Sequence, residues 1–113
     1  MSQVSRSAVF ADDPPTTALL VRAVELIGER WAILVLAELI ASPRRFSNLK
    51  EDLAGISANV LAKRLSELEE RGLVRRRQLP RPASIQVYEA TEWALEVGPI
   101  LEALGRWALG RGE

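Results

Sequence analysis

Ser57-Ala58-Asn59-Val60-Leu61-Ala62-Lys63-Arg64-Leu65-Ser66-Glu67-Leu68-Glu69-Glu70-Arg71-Gly72-Leu73-Val74-Arg75-Arg76-Arg77 decides the fold of this chain. Ser57 is a good N-cap, and a helix over roughly Ala58–Arg71 is expected to follow it. Leu61, Leu65 and Leu68 recur at i, i+4 and i+7, so they make one buried stripe. Asn59, Lys63 and Ser66 share the opposite face. Gly72 closes the helix as a left-handed C-cap. Leu73–Leu79 then reads as a strand, and Ser84–Glu89 as its partner. Pro80-Arg81-Pro82-Ala83 between them is an exposed tip, because proline breaks a ladder.

Working toward the N-terminus, Ala54-Gly55-Ile56 is a turn. Before it, Ser47 is placed to cap a short helix to Leu53. Arg44-Arg45-Phe46 is a short extended piece, and Ser42-Pro43 stops the preceding helix. That helix, Arg30–Ala41, is apolar almost all round through Trp31, Ile33, Leu34, Val35, Leu36 and Leu39, so most of its faces are expected to be buried. Thr16 or Thr17 is expected to cap a first helix that begins near Ala18 and shows Leu20, Ala23, Val24 and Ile27 at helical spacing. Gly28 ends it. Residues 1–15 read as a flexible arm and 16–113 as one domain.

Toward the C-terminus, Thr91 caps a last helix and Glu92 favours its first turn. Gly98-Pro99 lies inside that helix and predicts a kink there. A helix-turn-helix followed by a basic hairpin is the winged-helix layout. The expected class is mainly α (α+β), with a two-stranded β wing and extra helices at both ends.

The chain has 113 residues, 48% of them apolar, which suits one domain with a real core. Leu, Ala, Glu, Arg and Lys supply 59 residues and bias the chain to helix. There is no Cys and no His. No disulfide or thiol chemistry is open to it, the commonest general base is missing, and so are the usual zinc and copper ligands. No cofactor and no metal are expected. Glu67, Glu69 and Glu70 cluster, but on a helix flank among salt-bridge partners, so a binding protein is expected and not an enzyme. The longest apolar run, Trp31–Ala37, is too short to span a bilayer, and the N-terminus lacks a basic-then-apolar leader. A cytoplasmic protein without membrane contact is expected.

Net charge is zero, yet it is unevenly placed. Pro43–Arg81 carries ten basic and five acidic residues, and the remainder five and ten. One face can therefore meet a polyanion while the whole stays neutral.

The chain resembles the HxlR-type winged helix-turn-helix regulators, bacterial-type relatives of the MarR type. The resemblance rests on Ile27-Gly28-Glu29-Arg30-Trp31, Ile33-Leu34-Val35-Leu36 with Glu38-Leu39, and Ser42-Pro43-Arg44-Arg45-Phe46. It continues through Gly55-Ile56-Ser57, Val60-Leu61, Arg64-Leu65, Leu68-Glu69, Gly72-Leu73-Val74, and Tyr88 with Thr91-Glu92. It spans Ala18–Trp107. It implies a transcriptional regulator, read here as a repressor, that binds operator DNA as a homodimer, with the dimer contacts coming from its first and last helices. Three positions depart from the family pattern. Ala18 stands where many members carry a sensing Cys. Ala90, Trp93 and Ala94 replace residues under the last helix. Ala58 and Ala62 stand on the recognition helix where relatives are often polar, which favours backbone contacts and DNA shape.

The candidate base-edge residues are Ser57, Ala58, Asn59, Ala62, Lys63 and Ser66. Arg44, Arg45, Arg64, Arg75, Arg77 and Arg81 are the phosphate or wing candidates, with Arg76 pointing the other way along the strand. Leu19, Leu20, Val24, Trp93, Ile100, Leu101, Leu104 and Trp107 are the dimer candidates. Trp31, Trp93 and Trp107 read first as core and dimer packing. An apolar small-molecule effector is the sharper reading of the same residues. The competing function is a winged helix used for ligand sensing or protein contact, with little base readout.

Overall fold

The computed structural model describes residues 15–82 and 84–112. The expected arm lies outside them, apart from Pro15. Helix α1 spans Thr16–Ile27. Neither threonine caps it. Pro15 holds the N-cap position, without a side-chain bond, at φ −54° and ψ 150°. The proline ring fixes that extended entry, which moves the helix start forward and puts both threonines inside the first turn. No residue of α1 is buried.

Helix α2, Arg30–Ala41, has the expected bounds and is the centre of the fold. Ala32, Val35, Leu36 and Leu39 are buried along it. Leu34 and Ala37 stay exposed, so one face of this apolar helix is left uncovered. Helix α3 is Phe46–Asp52. Ser47 does not cap it: Arg45 holds the N-cap position and Phe46 already belongs to the helix. The extended piece shrinks to Arg44. Its amide donates to the Tyr88 carbonyl at 3.0 Å, and its carbonyl accepts from the Tyr88 amide at 2.8 Å.

Helix α4 is Ala58–Glu70. Ser57 caps it, its hydroxyl accepting from the Val60 amide at 3.1 Å. Leu61, Leu65 and Leu68 are fully buried against α2, as their spacing demands. The helix ends in a Schellman turn. Gly72 has φ +81°. The Leu73 amide reaches the Leu68 carbonyl at 2.9 Å, and the Gly72 amide reaches the Glu69 carbonyl at 3.0 Å. A Cβ at Gly72 would meet nothing within 4 Å, so the strain of Gly72→Ala is purely conformational. We expect it to lower unfolding free energy in urea by about 1 kcal/mol, with an unchanged denaturant slope.

Strands β1, Val74–Gln78, and β2, Gln86–Ala90, pair antiparallel with Val74 opposite Ala90 and Arg76 opposite Tyr88. The pair is shorter at its tip than expected, and at its base β1 starts at Val74 rather than Leu73 while β2 runs one residue further, to the buried Ala90. Ala83 lies outside the described residues. Thr91 caps α5, Glu92–Leu95, accepting from the Ala94 amide at 3.3 Å. The last helix is broken rather than kinked, and α6 starts afresh at Gly98–Gly112. Pro99 cannot donate to the Leu95 carbonyl, and the first turn of a new helix is where a proline needs no donor.

Candidate nucleic-acid interface

The turn between α3 and α4 requires Gly55, which has φ +93°. With Leu49, Leu53 and Ile56 buried beneath it, the turn presents α4 on the outside of the molecule. Ser57, Ala58, Asn59, Ala62, Lys63 and Ser66 are all exposed. None of these side chains makes an ion pair or a side-chain hydrogen bond among the described residues, beyond the Ser57 cap. This polar face is free to meet base edges.

The arginines divide into two groups. Arg44 is bound by Asp52, and by Glu38 at 3.5 Å. Arg64 is 19% exposed, and its Nε donates to Glu29 at 2.8 Å while Nη1 lies 3.3 Å from Glu67. Both expected phosphate ligands are therefore occupied inside the fold. On β1 the side chains alternate as expected. Arg75 and Arg77 both hold the Glu89 carboxylate, at 2.7 and 2.9 Å, while Arg76 turns to Glu69 at 2.9 Å. The hydrogen bonds from Arg75 and then Arg77 keep the Glu89 carboxyl below the usual carboxylate range. Arg75 also reaches Glu92 at 3.5 Å, so the two guanidinium groups meet two carboxylates, while the hairpin itself, with Arg75, Arg76, Arg77 and Arg81 against Glu89, stays net positive.

Arg45, Lys63 and Arg81 are exposed and make no ion pair among the described residues. So is Lys50, in the last turn of α3, a residue outside the candidates drawn from the sequence. Asp52 serves Arg44, which leaves the lysine charge available.

The dimer candidates lie on α1, α5 and α6. Leu19, Leu20, Val24, Trp93, Ile100, Leu104 and Trp107 are exposed, up to 71% at Trp107, and Leu101 is half-buried. The expected core role fails for Trp93 and Trp107. Trp31 alone packs half-buried on the core, with Arg30 4.6 Å over its ring. Between α1, α5 and α6 an apolar groove of about 230 Å³ is lined by Leu26, Ile27, Leu73, Trp93, Val97 and Ile100, with Glu96 at its edge. Among the described residues no cluster of three metal-ligating side chains occurs, and no helix is long and apolar enough to cross a membrane.

An exposed polar helix after a tight turn, flanked by a net positive hairpin, is the arrangement that docks a helix in a DNA major groove. The sequence pattern of the HxlR-like helix-turn-helix family matches residues 26–112. The chain belongs to that family. It is 35% identical over 88 residues to the HTH-type transcriptional regulator YvaP of Bacillus subtilis, covering 77% of this chain and 81% of YvaP. The reduced form of the transcriptional regulator YodB from B. subtilis superposes with a TM-score of 0.69 at 33% identity, over 77% of this chain and 85% of YodB. YodB also has quinone-bound and diamide-treated structures. A MarR-family regulator from Enterococcus faecalis reaches a TM-score of 0.75 at 25% identity, over 88% of this chain and 90% of its own. This HxlR-family chain is thus a DNA-binding transcriptional regulator with a winged helix-turn-helix fold.

Proposed function

We propose that this HxlR-family chain is a homodimeric repressor of a pseudo-palindromic operator. The observation that carries the reading is the exposed face of α4 with Asn59, Lys63 and Ser66, whose side chains have no partner among the described residues, set beside a net positive wing. Asn59 and Lys63 read base edges. Arg45, Lys50, Arg75, Arg77 and Arg81 hold phosphates or enter the minor groove. The exposed apolar faces of α1 and α6 meet their copies across a two-fold axis, which sets the two α4 helices in successive major grooves. Ligand binding in the groove beside Trp93 is the second reading, favoured by its apolar lining. With no cysteine in these 113 residues, a signal reaches DNA binding by some route other than thiol oxidation.

Selection of bound fragments from the host genome tests the proposal. Enriched fragments should share an inverted repeat with half-sites about 10–10.5 base pairs apart, or a multiple. A reporter placed behind such a fragment should fall in output when the chain is expressed. Fragments with no common sequence would leave only the ligand-sensing reading standing.

A further inference from the structure

Arg64 on α4 and Arg71 at its C-cap reach back to the corner between α1 and α2. Arg64 Nε donates to Glu29 at 2.8 Å, and the same Glu29 oxygen caps α2 by accepting from the Ala32 amide at 2.8 Å. Arg71 Nη1 donates to the Leu26 carbonyl at 2.9 Å. Leu26 lies in the last turn of α1, where a helix runs out of its own donors. The two arginines are two turns apart, about 10 Å along α4. One contact is a pivot. Two contacts, one on the last turn of α1 and one on the N-cap of α2, hold both sides of the Gly28 corner against α4.

Apolar packing does little of this work at α1. That helix buries no residue, and only Leu26 and Ile27 at its end pack against the core. The Arg71 hydrogen bond to the Leu26 carbonyl is thus a charge-assisted link to α1 itself, while the Arg64 contact holds Glu29, the N-cap of α2, on the other side of Gly28. Burial works against the Glu29 carboxylate, but the Ala32 amide and the Arg64 guanidinium outweigh it and hold its carboxyl below the usual range. The Glu29 carboxylate is therefore ionised at neutral pH. Arg64 and Arg71 also sit roughly a third of a turn round α4 from Asn59 and Lys63, at 100° per residue. They can be changed without touching the polar face.

We propose that Arg64 and Arg71, with Glu29, are positioning residues that set the distance and angle between the two recognition helices of the dimer, and so the half-site spacing it accepts. This rests on the dimeric DNA-binding reading above. The surface helix α1 carries the dimer contacts, α4 carries the readout, and this corner is the polar link between them.

The test uses the full chain and a panel of duplexes built from the fragment it selects, with the half-sites moved apart or together by one and two base pairs. Each base pair turns one half-site by about 34° around the duplex, so wild type should lose about tenfold in affinity per step. The Arg64→Met, Arg71→Met variant should bind the best duplex about tenfold more weakly and show a profile flattened to about threefold across the panel. Its dimer mass and its affinity for random duplex should match wild type. Lysine at both positions keeps a donor and should restore the sharp profile. Arg71→Gln alone removes only a link to a main-chain carbonyl. It should flatten the profile in part, independently of whether the double variant folds. A wild-type profile in Arg71→Gln and in the folded double variant overturns the inference while leaving DNA binding intact. A wild type that prefers no duplex at all overturns the dimeric operator reading, and this inference with it.

Discussion

Leu104→Glu combined with Trp107→Glu should turn the proposed dimer into a monomer that binds the selected operator at least about a hundredfold more weakly, since each half then binds alone. Leu104 is 50% and Trp107 71% exposed, and they stand three residues apart on one face of α6. Neither contributes to the buried core, so helix content should be retained. Burying a large apolar side chain stabilises an interface by about 1.5–3 kcal/mol, and a two-fold axis counts each one twice. The variant loses that gain and places like charges against each other in a desolvated seam. Light scattering should give a mass near 12.5 kDa, where wild type gives twice that. A variant that keeps the dimer mass would move the interface away from α6.

Asn59→Ala should weaken the selected operator far more than random DNA. Asn59 is exposed and its side chain has no hydrogen-bond partner among the described residues. Its amide can donate to and accept from an adenine edge, and each such base contact is worth roughly 1–3 kcal/mol. Both half-sites lose one, so the ratio of operator to random affinity should fall by about tenfold or more. Arg81→Ala at the wing tip should behave differently. It removes a charge without base specificity, so it should weaken both DNAs alike and lower the salt slope by about one per protomer. Glu89→Gln gives the opposite sign. It removes the anion that Arg75 and Arg77 share and should raise affinity for random DNA. Isotherms at several salt concentrations, on operator and scrambled duplex, separate the three. An unchanged ratio in Asn59→Ala would shift readout to the wing and to DNA shape, consistent with Ala58 and Ala62 on the same face.

Local pattern made the helix-turn-helix readable from sequence. The Leu61, Leu65 and Leu68 stripe, the Ser57 cap and the left-handed Gly72 each follow from neighbours within a few residues, and each stands where that pattern put it. The break before Gly98 was foreseen only as a bend, because the local rule for proline does not say whether the chain kinks or restarts. Thr16 and Thr17 were misread because Pro15 dictates the entry to α1 through its backbone rather than a side-chain bond. At the interface, the exposed face of α4 was readable from its period. The fate of the arginines was not. Glu29 lies 35 residues from Arg64, and Glu89 lies 14 from Arg75, so only the folded chain brings the carboxylates to them. Lys50 was hidden for the same reason, since its neighbour Asp52 is claimed by Arg44.

Hydroxyl-radical footprinting of the wild-type chain on a selected duplex, with the protein-to-duplex ratio measured alongside, is the most direct test of dimeric readout through α4 and the wing. Two protected segments are expected on one face of the duplex, about 10–10.5 base pairs apart or a multiple of that, with two chains bound per duplex. A single protected half-site with one chain bound, or even protection along the whole duplex, would contradict it.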